Sequence, residues 1–111
     1  MEELFDNKYG MKFHEALDLI KQYFNHNVPQ FDLKEEYNEN TGYWGIKYSY
    51  KATVIFISSS RGYLEYEITN QEKDLSLLQF EPQMQNIEVA SERNIRFTLG
   101  VISKFVQTIK D

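Results

Sequence analysis

The spacing of apolar residues predicts an amphipathic helix near the start of the chain. Over residues 12–26 the apolar side chains recur three or four positions apart, and charged or amide side chains fill the positions between them. This spacing places the apolar side chains on one face of an α-helix. Pro29 disfavours helical backbone angles at Val28, so the helix is expected to end before it.

From Phe31 the pattern alternates every second residue, which is typical of β-strands. The turn sequences NENTG and SSSRG interrupt the alternation, and the central stretch ATVIFIS is apolar at both parities, as in a strand inside a sheet. The pattern predicts four consecutive antiparallel strands, at residues 31–39, 43–51, 52–58 and 63–69.

The stretch between residues 70 and 90 has a weaker pattern. Residues 75–80 are compatible with a fifth strand that ends at Pro82, and residues 86–90 with a sixth short strand or a loop.

Residues 91–110 fit two structures. Apolar residues at helical spacing continue to Ile109, whereas residues 94–101 also alternate as in a strand. Strands usually have roughly three to ten residues, so the length of the apolar stripe favours a helix, with Ser91 as its N-cap. Arg93 and Arg96 would then lie near the positive end of the helix dipole, where pairing with Glu88 or Glu92, or with an anionic group of a partner, would compensate.

These elements predict an α+β fold. The chain of 111 residues has the size of a single domain, residues 1–111. The simplest arrangement is a two-layer sandwich in which an antiparallel meander of four to five strands has the N-terminal and C-terminal helices packed on one face.

Composition narrows the possible functions. The chain has no cysteine, which excludes disulfides, thiolate metal sites and cysteine nucleophiles. It has neither a long apolar run nor a signal-peptide pattern, so we expect a cytoplasmic protein that does not bind membranes. With a formal net charge of -5 we do not expect direct nucleic-acid binding.

Strand parity divides the aromatic and charged residues between the two faces of the sheet. Trp44 shares its parity with Ile46 and is expected to pack beneath the helices. Polar and tyrosine residues of the opposite face are expected to bind a protein partner: Glu36, Tyr43, Lys47, Tyr63, Glu65, Glu67 and Asp74.

Glu35 interrupts this pattern because it lies between Leu33 and Tyr37. A β-bulge or an exposed strand end would explain its position. Alternatively, Glu35 is a general acid or base that lines a cavity between sheet and helices, together with Tyr37 and Trp44.

Other catalytic patterns are missing from the sequence. The two histidines have no partner at metal-binding spacing, the serines at 58–60 lack a nucleophile elbow, and no glycine-rich phosphate loop is present, so we expect neither metal nor cofactor. The sequence favours a non-enzymatic protein-binding function, such as that of the small acidic inhibitors, immunity proteins or antagonists that phages and mobile elements encode. A homo-oligomer is compatible with it. The alternative is a small-ligand protein or enzyme that uses the sheet–helix cavity.

Overall fold

The computed structural model describes residues 11–39 and 43–109. Its elements follow each other in the order α1 (Phe13–Asn27), β1 (Asp32–Glu39), β2 (Tyr43–Tyr50), β3 (Thr53–Ser60), β4 (Tyr63–Asn70), β5 (Lys73–Leu75), α2 (Leu77–Phe80), a 3-10 helix (Pro82–Asn86) and α3 (Glu92–Val106).

The five strands form one antiparallel sheet in the order β1-β2-β3-β4-β5, which confirms the predicted meander. The fifth strand is shorter than predicted and begins earlier, at Lys73. Short turns connect β2 to β5, and their backbone is left-handed at Lys51, Arg61, Gly62, Gln71 and Glu72, as tight β-hairpins require. Residues 40–42 of the predicted NENTG turn lie outside the described residues.

The C-terminal segment is the predicted helix and not a strand. The Ser91 side chain caps α3 by accepting a hydrogen bond from the backbone N–H of Asn94 at 3.2 Å. Arg96 pairs with Glu92 one turn away, with 2.9 Å between its Nε and Oε2. Its predicted pairing with a nearby acid is therefore confirmed.

The segment between β5 and α3 differs from the prediction. Residues 77–80 form the short helix α2 instead of a strand, because the Ser76 side chain caps the backbone N–H of Gln79 and Leu77 is buried in the core. Residues 88–90 only bridge the first residues of β4, through hydrogen bonds from Leu64 N to Glu88 O and from Ala90 N to Gly62 O.

Helices α1 and α3 pack on one side of the sheet, which we call the inner face. A stacked pair links α1 to the sheet, with the rings of Phe24 and Tyr48 centred 3.8 Å apart. Trp44 is 2% exposed, as its parity predicts. The core consists of buried side chains from the inner face and both helices, among them Leu17, Ile20, Phe24, Trp44, Ile46, Tyr48, Ile55, Ile57, Ile68, Ile95, Leu99 and Ile102. None of the helices in the described ranges is long and apolar enough to cross a membrane.

A β-bulge in β1 corrects the predicted faces of this strand. Leu33 pairs with Tyr48 and Glu35 with Lys47, so Lys34 is an extra residue without its own partner on β2. One inserted residue transfers every later side chain of a strand to the opposite face. Glu36 therefore lies on the inner face and Tyr37 on the other, the reverse of the prediction for both.

Candidate functional site

The sheet surface opposite α1 and α3, which we call the outer face, is built from four rows of facing residues. The strand register defines these rows as Asp32-Ser49-Val54-Thr69-Asp74, Glu35-Lys47-Phe56-Glu67, Tyr37-Gly45-Ser58-Glu65 and Glu39-Tyr43-Ser60-Tyr63. Neither α1 nor α3 covers them. Among the described elements, neither long helix therefore blocks contact with this face.

Carboxylates occupy both sides of the outer face, and its middle holds uncharged residues and Lys47. We call these two sides the acidic margins: Asp32, Glu35 and Glu39 on β1, and Glu65, Glu67 and Asp74 on β4 and β5. All six side chains are exposed. Within the four rows, Lys47 is the one basic residue. The outer face therefore concentrates negative charge around a central strip from β2 and β3.

An aromatic contact covers part of the central strip. The ring of Tyr37 lies directly over Gly45, where an added Cβ would clash with Tyr37 Cε1. The same ring is centred 6.4 Å from Phe56. The glycine has no side chain, so the tyrosine can cross the neighbouring strand at van der Waals distance. This places an amphipathic ring in the middle of the outer face.

Lys47, in the central strip, contacts both the β1 margin and the ring of Phe56. Its Nζ lies 3.5 Å from Glu35 Oε2 and 5.5 Å from the centre of the Phe56 ring. The ammonium group of Lys47 therefore makes two contacts, an ion pair with the Glu35 carboxylate and a cation–π contact with the Phe56 ring.

A groove lies beside Lys47 on the outer face, and we call it the Phe56 groove. It has a volume of about 380 Å³ and is lined by Lys47, Val54, Phe56, Glu67 and Thr69. Phe56 faces Lys47 on one neighbouring strand and Glu67 on the other. The groove thus has an apolar floor between a basic and an acidic wall.

Two tyrosines end the outer face near the β3–β4 turn. Tyr63 is 60% exposed, and Tyr43 OH accepts a hydrogen bond from Arg61 Nε at 3.2 Å. Exposed tyrosines are enriched in protein interfaces because a ring with a polar tip suits a partly hydrated contact.

Most of the predicted partner-binding residues share this surface. Tyr43, Lys47, Tyr63, Glu65, Glu67 and Asp74 lie in its rows. Glu36 does not, and its prediction as an outer-face contact is wrong. Its Oε2 lies 2.6 Å from Nζ of Lys21 on α1, because the bulge turns it toward the helices.

The predicted cavity of Glu35, Tyr37 and Trp44 is not formed. The bulge places Glu35 and Tyr37 on the outer face, while Trp44 is buried on the inner face. A separate groove of about 300 Å³ at the start of α1 includes Trp44, Glu39 and His14, but neither Glu35 nor Tyr37. Three residues that were expected to line one cavity therefore lie on opposite faces of the sheet.

Sequence reasoning missed the aromatic centre of the outer face. Phe56 lies in a stretch that is apolar at both parities, which predicted a strand inside the sheet but did not single out Phe56. The alternation along β3 nevertheless contained a signal. Phe56 has the same parity as Val54 and Ser58, whereas Ile55 and Ile57, which are buried, have the opposite parity.

Two tyrosines of the inner face have raised pKa values. Burial, with a smaller contribution from the Glu36 carboxylate, raises the pKa of Tyr48 to about 12. Burial also raises the pKa of Tyr66. Both residues oppose isoleucines in the inner-face register, Ile55 and Ile57. Both hydroxyl groups therefore lose their protons at a higher pH than an ordinary tyrosine does.

No group of three or more histidine, aspartate or glutamate side chains within residues 11–39 and 43–109 is arranged to hold a metal ion. Comparison with known proteins found no matching family model, no matching curated protein and no matching solved structure.

Proposed function

We propose that this protein is a non-enzymatic binding protein whose outer face docks on a basic surface of a protein partner, in the manner of an inhibitor, immunity protein or antagonist. The observation that carries this proposal is the arrangement of the outer face. Two exposed acidic margins lie on either side of the central strip, which neither long helix covers.

Charge and apolar area have separate roles in such an interface. Exposed carboxylates at the rim attract a basic partner over a distance and raise the association rate more than the affinity. Aromatic side chains at the centre supply the desolvated contact that usually dominates the binding energy. Tyr37 and Phe56 lie at the centre of the outer face and the acids lie at its sides, so the surface has both parts in the appropriate places.

The charge of the outer face also excludes some partners. It repels nucleic acid and anionic lipid, and it repels a second copy of itself when two outer faces meet. The natural partner is therefore a protein whose own surface is basic, which is common among proteins that bind phosphates or nucleic acids. The carboxylates would occupy positions that such a partner offers to phosphate groups.

Affinity capture from the native host tests this proposal. The bait is the whole chain with Glu65→Lys and Glu67→Lys, compared with the unchanged chain. A matched control carries Glu15→Lys and Asp18→Lys, two exposed acids of α1, and changes the net charge equally. We expect a basic protein to be lost with the outer-face variant and retained with the control. Equal recovery with both variants would refute the proposal, provided that circular dichroism shows both to be folded.

A further inference from the structure

We propose that the Phe56 groove is the anchor site for an arginine side chain of the partner. This inference rests on the proposed function and specifies which chemical group of a basic partner is recognised. The arginine would stack its guanidinium group on Phe56 and pair with the carboxylate of Glu67.

The row Glu35-Lys47-Phe56-Glu67 shows how the outer face holds a cation. Lys47 pairs with Glu35 and lies over the Phe56 ring. On the other side of Phe56, Glu67 supplies a second carboxylate, as Glu35 does beside Lys47. Glu67 is the residue directly opposite Phe56 in the β3–β4 register. Within the described part of the chain, no cation forms an ion pair with Glu67. The groove therefore offers a second cation site of the same type.

The dimensions of the groove suit a long cationic side chain. Side chains that oppose each other on neighbouring strands have Cβ atoms about 5 Å apart, so one group can touch both a ring and a carboxylate. Val54 and Phe56 are half-buried and form an apolar floor, which suits the methylene groups of an arginine. Thr69 adds a hydroxyl group at the wall of the groove.

Arginine fits this site better than lysine does. Its planar guanidinium group stacks on an aromatic face and donates two parallel hydrogen bonds to a carboxylate, whereas an ammonium group is a compact and strongly hydrated charge. Lys47 already supplies an ammonium group on one side of Phe56. The charge of a guanidinium group is spread over a plane, so this ammonium group repels it less than it would repel a second compact ammonium group.

Titration of the ¹⁵N-labelled protein with short probe peptides tests the inference by NMR. The probes are acetyl-Gly-Arg-Gly-amide, its lysine counterpart and its neutral citrulline counterpart. We expect the arginine peptide to give saturable shifts concentrated at Val54, Phe56, Glu67 and Thr69. The lysine peptide should bind several-fold more weakly, and the citrulline peptide should cause no saturable shift.

Two isosteric substitutions provide the matched control. Glu67→Gln should weaken binding of the arginine peptide at least fivefold, whereas Glu65→Gln removes the same charge one row away and should change it less than twofold. Phe56→Leu keeps an apolar floor but removes the ring, and it should also weaken binding. Equal effects of the two glutamine variants, equal binding of arginine and lysine, or no saturable shift would each refute the arginine site.

The failure of this inference can be distinguished from failure of the proposed function. If the outer face binds a partner without this anchor, the double charge reversal abolishes capture, while Phe56→Leu and Glu67→Gln do not reduce it more than Glu65→Gln does. If the outer face is not the partner surface, capture survives the double charge reversal whether or not the arginine peptide binds.

Discussion

Single residues of the outer face depend on partners from neighbouring strands. Gly45 gives room to Tyr37, whose ring would clash with a methyl group at that position. Lys47 is positioned by Glu35 and by Phe56, which lie on either side of its own strand. A substitution at one of these residues should therefore change the position of another, and double-mutant cycles measure such coupling directly.

The contact between Gly45 and Tyr37 gives a prediction at the residue scale. Gly45→Ala should displace the tyrosine ring and reduce the free energy of unfolding by about 1 kcal/mol, as expected for the loss of one aromatic contact. Alanine is otherwise favoured over glycine inside a strand by roughly 0.5–1 kcal/mol. In a Tyr37→Ala background, Gly45→Ala should therefore be neutral or stabilising.

Urea unfolding of the four proteins in this double-mutant cycle provides the measurement. The expected result is a loss of stability from Gly45→Ala when Tyr37 is present and no loss in the Tyr37→Ala background. A loss of stability of the same size in both would show that the backbone around Gly45, and not the tyrosine ring, excludes a side chain.

At the scale of elements, the sequence predicts the long helices and strands better than it predicts the faces of β1. In α1 the apolar stripe is repeated over several turns, so one irregular position does not obscure it. A strand has no such redundancy, because the one extra residue Lys34 reverses the faces of Glu36 and Tyr37. The polar run from Lys34 to Glu36 is a local sign of this irregularity, but it does not specify a bulge. Residues 77–80 were mistaken for a strand because a four-residue helix is too short to show its period.

The β1 bulge gives a prediction at the element scale. Deletion of Lys34 removes the extra residue and leaves the pairs Leu33 with Tyr48 and Glu35 with Lys47 in regular alternation. We expect this deletion to preserve the fold, with a change in the free energy of unfolding of about 1 kcal/mol or less. Deletion of Glu36 is the matched control. It also removes one residue between Leu33 and Tyr37, but it takes away the ion pair of Glu36 with Lys21 on α1, so it should cause a greater loss of stability.

NMR spectra and urea unfolding of both deletion variants test this. In the Lys34 deletion, contacts between the Tyr37 and Phe56 rings should persist. Loss of these contacts, or a destabilisation equal to that of the Glu36 deletion, would contradict this prediction. It would mean that the bend at the bulge positions the outer-face side chains of β1, and not the alternation of the residues that follow it.

At the scale of the whole molecule, the sheet separates two kinds of surface. Its inner face and the long helices bury the apolar residues, and its outer face carries the exposed carboxylates of both margins. Stability therefore depends mainly on the inner face, and the proposed binding depends on the outer one. Substitutions of the acidic margins should consequently change partner binding and leave the free energy of unfolding nearly unchanged. Substitutions of the core should lower the free energy of unfolding and have little direct effect on binding.

The tyrosines of the inner face link global stability to alkaline pH. The pKa of Tyr48 rises from its ordinary value of 10.0 to about 12 in the folded protein, so the folded state retains this proton more strongly than the unfolded state does. The resulting stabilisation is complete below pH 10 and is lost as the pH rises toward 12. The raised pKa of Tyr66 adds a contribution of the same sign. Urea unfolding should show the free energy of unfolding falling across this interval, and less steeply in Tyr48→Phe. Tyr63→Phe removes a phenol that is 60% exposed and serves as the control. If Tyr48→Phe and Tyr63→Phe follow the same alkaline slope, burial of Tyr48 does not contribute to the pH dependence.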